Sequence, residues 1–127
     1  MILPFIFLAP SEGMGRGVFT DEPIAAGTIV EIAPVIVMSA EDRKKLDQTR
    51  LYDYIFEWGE QKDHCIMALG YVPMYNHSYN SNCEYEMDYG HDLIQIKAVK
   101  DIRKGEELFI NYNGEWNDTT PLWFDAK

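Results

Sequence analysis

Short apolar runs recur along this chain, each soon interrupted by glycine, proline or asparagine. That punctuation favours strands joined by tight turns over long helices. Residues 2–8 form the first apolar run and read as a strand. Gly13, Gly15 and Gly17 then mark a tight turn, after which Val18 and Phe19 resume a strand. Residues 23–27 are a turn. Residues 29–38 are a β-branched run containing Pro34, which cannot donate to a ladder and so belongs at an edge or a bulge. Ser39 predicts the N-cap of a short helix reaching Arg50, with acids early and bases late to suit the helix dipole. Residues 52–58 are aromatic-rich and fit strand or helix, and residues 66–69 are short and apolar. Residues 73–83, rich in Asn, Ser and Tyr, predict a long polar loop with at most one helical turn before it. Residues 93–99 alternate at period two, as a half-buried strand does. Lys104-Gly105 marks a turn, residues 108–112 the last clear strand, and Asn113-Gly114 another turn. Strand and helix do not alternate, so a mainly β fold is expected rather than a doubly wound parallel sheet.

A chain of 127 residues fits one domain with its own core. Hydrophobic residues at 46% and charged residues at 25% are ordinary for a soluble globular protein. The net charge is −10, from 21 acids and 11 bases, and a division after Asp63 leaves 11 acids and 6 bases before it. The acidic excess is therefore spread along the chain. It suits a solvated surface, and it would also attract a basic partner such as a Lys-rich tail. No basic stripe is present to neutralise phosphates, so direct nucleic-acid binding is not expected. Cys65 and Cys83 cannot make a paired-cysteine zinc site and read as buried free thiols. His64, His77 and His91 lack zinc-ligand spacing, so no metal is expected. The apolar N-terminal run has no basic segment before it and is too short to span a bilayer. A cytoplasmic protein with no membrane contact is expected.

Three stretches could carry chemistry, and each also has a purely structural reading. Residues 13–17 read Gly-Met-Gly-Arg-Gly. Closely spaced glycines let the backbone approach a ligand, or simply close a hairpin. Residues 76–83 read Asn-His-Ser-Tyr-Asn-Ser-Asn-Cys. Their amides can hold a polar ligand or pin the loop itself. Residues 105–112 read Gly-Glu-Glu-Leu-Phe-Ile-Asn-Tyr. A tyrosine ending a strand can present its phenol at a sheet rim or pack in a core.

Taken in order, these stretches resemble the SET-domain family of protein lysine methyltransferases. The chain has Gly-x-Gly-x-Gly-Val-Phe near its start, Asn-His-Ser-x-x-x-Asn-Cys-Glu-Tyr past its middle, and then Gly-Glu-Glu-Leu-x-x-x-Tyr. The resemblance runs from Gly13 to Tyr112, with an aromatic tail over residues 114–127, so residues 1–127 form a single domain on this reading. It is similar to small stand-alone viral and bacterial SET proteins. The implied fold is several small antiparallel sheets around a C-terminal pseudoknot, with one or two short helices. The implied activity is transfer of a methyl group from S-adenosylmethionine to lysine amines of a basic, Lys-rich protein or peptide. The resemblance also allows a homodimer. An alternative is a SET-fold module, weak or inactive in catalysis, that binds a basic peptide.

Carried over residue by residue, the backbone around Met14, Gly15 and Arg16 would meet the amino-acid end of the cofactor. The Asn76 side chain would bond its ammonium or carboxylate, and the His77 backbone would read the adenine. Tyr112 would be the catalytic tyrosine, where cofactor and substrate lysine meet, and Tyr52, Tyr54 and Phe56 would wall the lysine channel. Trp116, Trp123 and Phe124 would either close the site as a lid or pin the terminus to the core. Such a channel has a chemical purpose: free lysine has a pKa of ≈ 10.4, so a neutral amine at pH 7 costs about 4–5 kcal/mol in water. A dry aromatic channel lowers that pKa and holds the cation. The chain departs from the family in several places. Residues 31–34 read Glu-Ile-Ala-Pro where Tyr-x-Gly is common, and Asn111 stands where Asp often precedes the tyrosine. Tyr79 and Ser81 replace Cys and Pro, Arg16 replaces an aromatic residue, and the zinc-binding cysteines that follow many SET domains are absent.

Overall fold

The computed structural model describes residues 1–59, 63–113 and 116–119. Strands β1 (Ile6–Ser11) and β2 (Gly15–Thr20) pair as an antiparallel hairpin. Gly13 and Gly15 close it with φ of 72° and 71°, a conformation glycine adopts without a Cβ clash. The apolar run over residues 2–8 is not one strand. The chain turns at Pro4, and the amide of Ile6 donates to the Leu3 carbonyl (3.2 Å). Residues before that turn add instead to β3 (Ile29–Met38): Leu3 N donates to Val30 O at 3.0 Å and Ile32 N to Met1 O at 2.7 Å. After the turn β1 continues through Pro10, which an edge strand tolerates because its missing amide leaves no partner waiting.

Helix α1 (Ala40–Leu46) is capped by Ser39, whose hydroxyl accepts from Asp42 N at 3.1 Å. It stops at Leu46 and does not reach Arg50. The Thr49 hydroxyl donates to the Leu46 carbonyl (2.7 Å) and accepts from Leu51 N (3.2 Å), so it ends the helix and caps a separate 3₁₀ turn, Arg50–Asp53. Strands β4 (Phe56–Trp58) and β5 (His64–Ala68) follow. A second 3₁₀ turn, Val72–Met74, precedes the two-residue strand β6 (Asn76–His77). Then come β7 (Cys83–Asp88), which the sequence pattern did not suggest, β8 (Leu93–Ala98) and β9 (Glu107–Ile110).

The strands form two sheets, ordered β1-β2-β9-β6 and β4-β5-β3-β8-β7. All pairs are antiparallel except β6 and β9, which run parallel with Asn76 opposite Phe109 and His77 opposite Ile110. Strand β3 changes partner along its length: residues 29–34 pair with β8 and residues 35–38 with β5. Pro34 sits exposed at that change of partner, where its missing amide breaks neither ladder; the register shift in β3 lies earlier, between Ile29 and Glu31. The alternation of β8 buries Ile94, Ile96 and Ala98 against Val18, Val30, Ile66, Leu108 and Ile110 in one core spanning both sheets. Truncating one of these isoleucines to alanine should cost about 2–5 kcal/mol. The fold is mainly β, with one short α-helix among the described residues. None of the described helices is long and apolar enough to cross a membrane. Cys65 and Cys83 are buried free thiols, and burial pushes Cys83 up to about 12.

One carboxylate lies inside this core. Glu31 on β3 is 2% exposed, and it accepts hydrogen bonds from Tyr71 N (2.8 Å) and the Tyr75 hydroxyl (2.9 Å). Gly70, with φ of 65°, lets the chain pass close to it, since a Cβ there would overlap the carboxylate.

Candidate active site

The hairpin turn of β1 and β2 is joined to β6 and β9 through one carboxylate. Glu107, at the start of β9, accepts from the Ser11 hydroxyl (2.6 Å) and from the Asn76 amide (2.8 Å). The same amide also donates to Arg16 O at 3.2 Å. Gly17 makes this approach feasible, because a Cβ there would overlap the Glu107 carboxylate and the Asn76 amide. Asn82 locks the following loop to β9, donating to Glu107 O (2.9 Å) and accepting from Phe109 N (2.8 Å). Met14 is half-buried on the turn, while Gly15 and Arg16 are exposed.

Next to Asn76, the His77 ring lies edge-on to Tyr79 (4.4 Å between centroids) and 5.1 Å from the Tyr112 ring. Its Nδ1 accepts from Tyr112 N at 3.1 Å, which leaves the proton on Nε2. Nε2 is buried with no hydrogen-bond partner among the described residues. Burial lowers the pKa of this histidine, which keeps the ring neutral. The Tyr112 hydroxyl donates to the Tyr75 carbonyl at 2.7 Å. Burial, followed by the fields of Tyr54, Asp53 and Glu107, pushes the Tyr112 phenol up to about 12.

On its other side Tyr112 lines a cleft of about 370 Å³. Tyr52, Tyr54 and Phe56 line the same cleft, together with Tyr75 and Tyr85. Phe56 meets Tyr85 edge to face at 5.1 Å, and the Tyr85 hydroxyl donates to Tyr112 O at 3.3 Å. Burial pushes Tyr85 to about 12 as well. Asp47 and Asp53 also border the cleft, as does Arg43, which pairs with Glu57 at 3.2 Å.

The structure thus gathers the expected channel residues, Tyr52, Tyr54 and Phe56, around Tyr112. It gathers Arg16, Asn76 and His77 on the far side of the same tyrosine, outside the cleft lining. Trp116 belongs to neither group. It is half-buried beside the 78–82 loop, where its carbonyl accepts from Ser81 N and Oγ (both 3.1 Å) and Lys100 Nζ lies 4.9 Å from its ring. Trp123 and Phe124 lie outside the described residues. Reading the sequence alone gave no role to Glu107, Tyr75 or Tyr85, whereas Asn82 is one of the loop asparagines it offered for pinning the loop, which is what Asn82 does. Glu107 stands in the quoted Gly-Glu-Glu-Leu stretch, so its motif was visible although its partners were not.

This arrangement and this fold are those of a SET domain. The SET domain family model matches residues 15–113, and the chain belongs to that family. A histone-lysine N-methyltransferase of Schizosaccharomyces pombe, specific for H3 lysine-37, is 36% identical over 118 residues, covering 92% of this chain and 75% of that protein. The N-lysine methyltransferase KMT5A-A of Danio rerio is 31% identical, covering 80% of this chain and 33% of its own length. Among solved structures, a Plasmodium falciparum protein assigned as a histone methyltransferase superposes with a TM-score of 0.68 at 29% identity, covering 87% of this chain and 99% of that one. The Chaetomium thermophilum Polycomb Repressive Complex 2 bound to S-adenosylmethionine superposes with a TM-score of 0.72 at 27% identity, covering 84% of this chain and 15% of that one. Family and relatives together make this chain a lysine N-methyltransferase.

Proposed function

We propose that the chain uses S-adenosylmethionine to methylate lysine side chains of a basic protein, with a histone tail as the model substrate. The observation that carries this reading is the position of Tyr112: it lines the aromatic cleft on one side and bonds to His77, beside Asn76 and the glycine turn, on the other. The residues of that second side suit the amino-acid end of the cofactor. Asn76 uses its amide protons on Arg16 O and Glu107, so its carbonyl oxygen can accept from a ligand ammonium. The open space beside Gly13 and Gly15 leaves the turn backbone around Met14, Gly15 and Arg16 accessible to the same end, and the His77 backbone would read the adenine. The parallel pairing of β6 with β9 supports a C-terminal pseudoknot around this site.

Bound there, S-adenosylmethionine supplies an electrophilic methyl group on its sulfonium. The chain must then present a neutral amine. Tyr52, Tyr54 and Phe56 exclude water from the lysine side chain, and desolvation lowers the pKa of the amine. Tyrosine faces hold the stem and the cation before the proton leaves. Tyr112, with a phenol near 12, remains protonated at neutral pH. It therefore orients the amine through its oxygen rather than acting as a base. Its own proton is held by the Tyr75 carbonyl. The acidic charge of the chain, with Asp47 and Asp53 at the cleft, supports a basic partner and would act mainly on encounter rate.

The test combines purified protein, methyl-labelled S-adenosylmethionine and either a basic histone peptide or an acidic peptide of equal length. Label on lysine of the basic peptide, falling as salt rises, is the expected result. Equal labelling of both peptides with no salt effect would remove the basic-substrate part. Calorimetry showing no cofactor binding by the folded protein would remove the whole reading.

A further inference from the structure

Among the described residues, Glu31 is the only charged side chain that is buried. Taking a carboxylate out of water is costly, and here desolvation outweighs the two hydrogen bonds it accepts, so its pKa is raised. Burial alone gives no reason for a carboxylate at this position. Its partners do: without it, Tyr71 N and the Tyr75 hydroxyl would lose this acceptor. Tyr71 N and Tyr75 OH lie at the two ends of a single 3₁₀ turn, Val72–Met74, and the two carboxylate oxygens of Glu31 take one end each. Strand β3 pairs along its length with β8 and β5, so Glu31 projects from a well-supported part of the five-stranded sheet. The turn it grips ends at Tyr75, and the Tyr75 carbonyl receives the Tyr112 hydroxyl.

We propose that Glu31 is a positioning residue for methyl transfer: it clamps both ends of the 71–75 turn to β3 and so fixes the Tyr75 carbonyl that orients the Tyr112 hydroxyl. The proposal rests on Tyr112 standing at the reacting centre. Glu31 does not line the cleft, so it acts only through Tyr75. Small errors in the placement of an orienting group are felt in turnover rather than in binding, because binding uses contacts elsewhere.

The experiment compares Glu31→Leu, Glu31→Gln and Tyr75→Phe in the full chain. Each is assayed by steady-state methylation of a histone peptide, cofactor calorimetry, and NMR of protein labelled at the tyrosine Cζ carbon. Tyr112→Phe assigns the Tyr112 resonance. Glu31→Leu removes both grips and should lower kcat roughly ten- to a hundredfold, with KM and cofactor affinity nearly unchanged. It should also shift the Tyr112 Cζ resonance. Glu31→Gln can accept from Tyr71 N and donate to the Tyr75 oxygen, so it should recover most of the turnover and the wild-type resonance. Tyr75→Phe keeps the ring and the carbonyl but releases one grip; it should lower kcat and shift the resonance in the same direction. Should Glu31→Leu fail to fold, Tyr75→Phe carries the test. The proposal is overturned if the folded variants melt earlier yet keep wild-type kcat and an unmoved Tyr112 resonance. A fully active Tyr112→Phe would instead remove the reading of Tyr112, whatever the Glu31 variants do.

Discussion

The backbone amide of Tyr112 donates to Nδ1 of His77 at 3.1 Å, which ties the residue lining the cleft to the loop that carries Asn76. The bond exists only while the imidazole is neutral, and burial holds the folded-state pKa below the ordinary 6.5. The unfolded chain therefore takes up a proton that the folded chain refuses. The stability at stake is fully present above about pH 6.5 and is lost as pH falls through the folded value. Glu31 acts in the opposite sense: its folded pKa is raised, so its contribution is full below about pH 4.5 and is lost as pH rises through the folded value. Denaturant unfolding of wild type and His77→Gln across mildly acid pH checks this. The wild type should lose stability faster on acidification; parallel curves would show that His77 is not responsible.

Glu107 should matter for cofactor affinity although it need not touch the cofactor. It holds the Ser11 hydroxyl and the Asn76 amide together. Glu107→Ala frees both, and S-adenosylmethionine should bind about 1–3 kcal/mol more weakly. Asn76→Ala should weaken binding by a similar amount. Calorimetry on folded protein measures both, and unchanged affinity in either variant would contradict the arrangement.

Gly17→Ala isolates the closeness of that contact. The position has no left-handed φ, so the methyl adds no backbone strain, only overlap with Glu107 and Asn76. Cofactor affinity and melting temperature should both fall, and Glu107→Ala in the same chain should recover part of the stability by making room. An alanine variant as stable and as tight as wild type would mean that the sheet relaxes there freely.

Part of the tail after Asn113 is tied to the core by its backbone carbonyls. The carbonyl of Trp116 accepts from buried Ser81, and that of Asp118 accepts from the side chain of buried Asn111 (2.7 Å). Ending the chain after Asn113 takes these acceptors from the Ser81 backbone amide and the Asn111 side chain, at a cost of about 1–3 kcal/mol each, while the Ser81 hydroxyl keeps the Cys83 carbonyl at 2.7 Å. Truncated protein should melt at a lower temperature before any effect on catalysis is considered. An unchanged melting temperature would show that water replaces both carbonyls.

The parts of this fold that local rules govern were legible in advance. The hairpin turn at Gly13, the Ser39 cap and the alternation of β8 each depend on neighbouring residues alone. Gly15 and Gly17, expected in the turn, already belong to β2, and Gly17 is small because Glu107 and Asn76 approach it. Composition marked residues 52–58 as aromatic, the family resemblance gave Tyr52, Tyr54 and Phe56 a channel role, and all three line the cleft. Strand β7 escaped notice because its outward positions, Glu84, Glu86 and Asp88, lend it the look of the polar loop before it. Strand β6 is too short to show any period, and only its pairing with β9 defines it. Nothing local marks Glu31 or Glu107 as inward-facing, since acids are usually exposed. Their partners lie far along the chain, Tyr75 for one and Ser11 and Asn76 for the other, and no spacing rule connects them.

Substituting Tyr112 by Phe tests the central claim most directly, with kcat for lysine methylation and cofactor affinity measured on the same folded sample. The ring and its contact with His77 remain, and only the hydroxyl held by the Tyr75 carbonyl is lost. If Tyr112 orients the reacting amine, kcat should fall about a hundredfold or more while the affinity for S-adenosylmethionine stays within about twofold. Equal turnover in wild type and Tyr112→Phe would show that Tyr112 is only packed there and that the methyl is transferred without it.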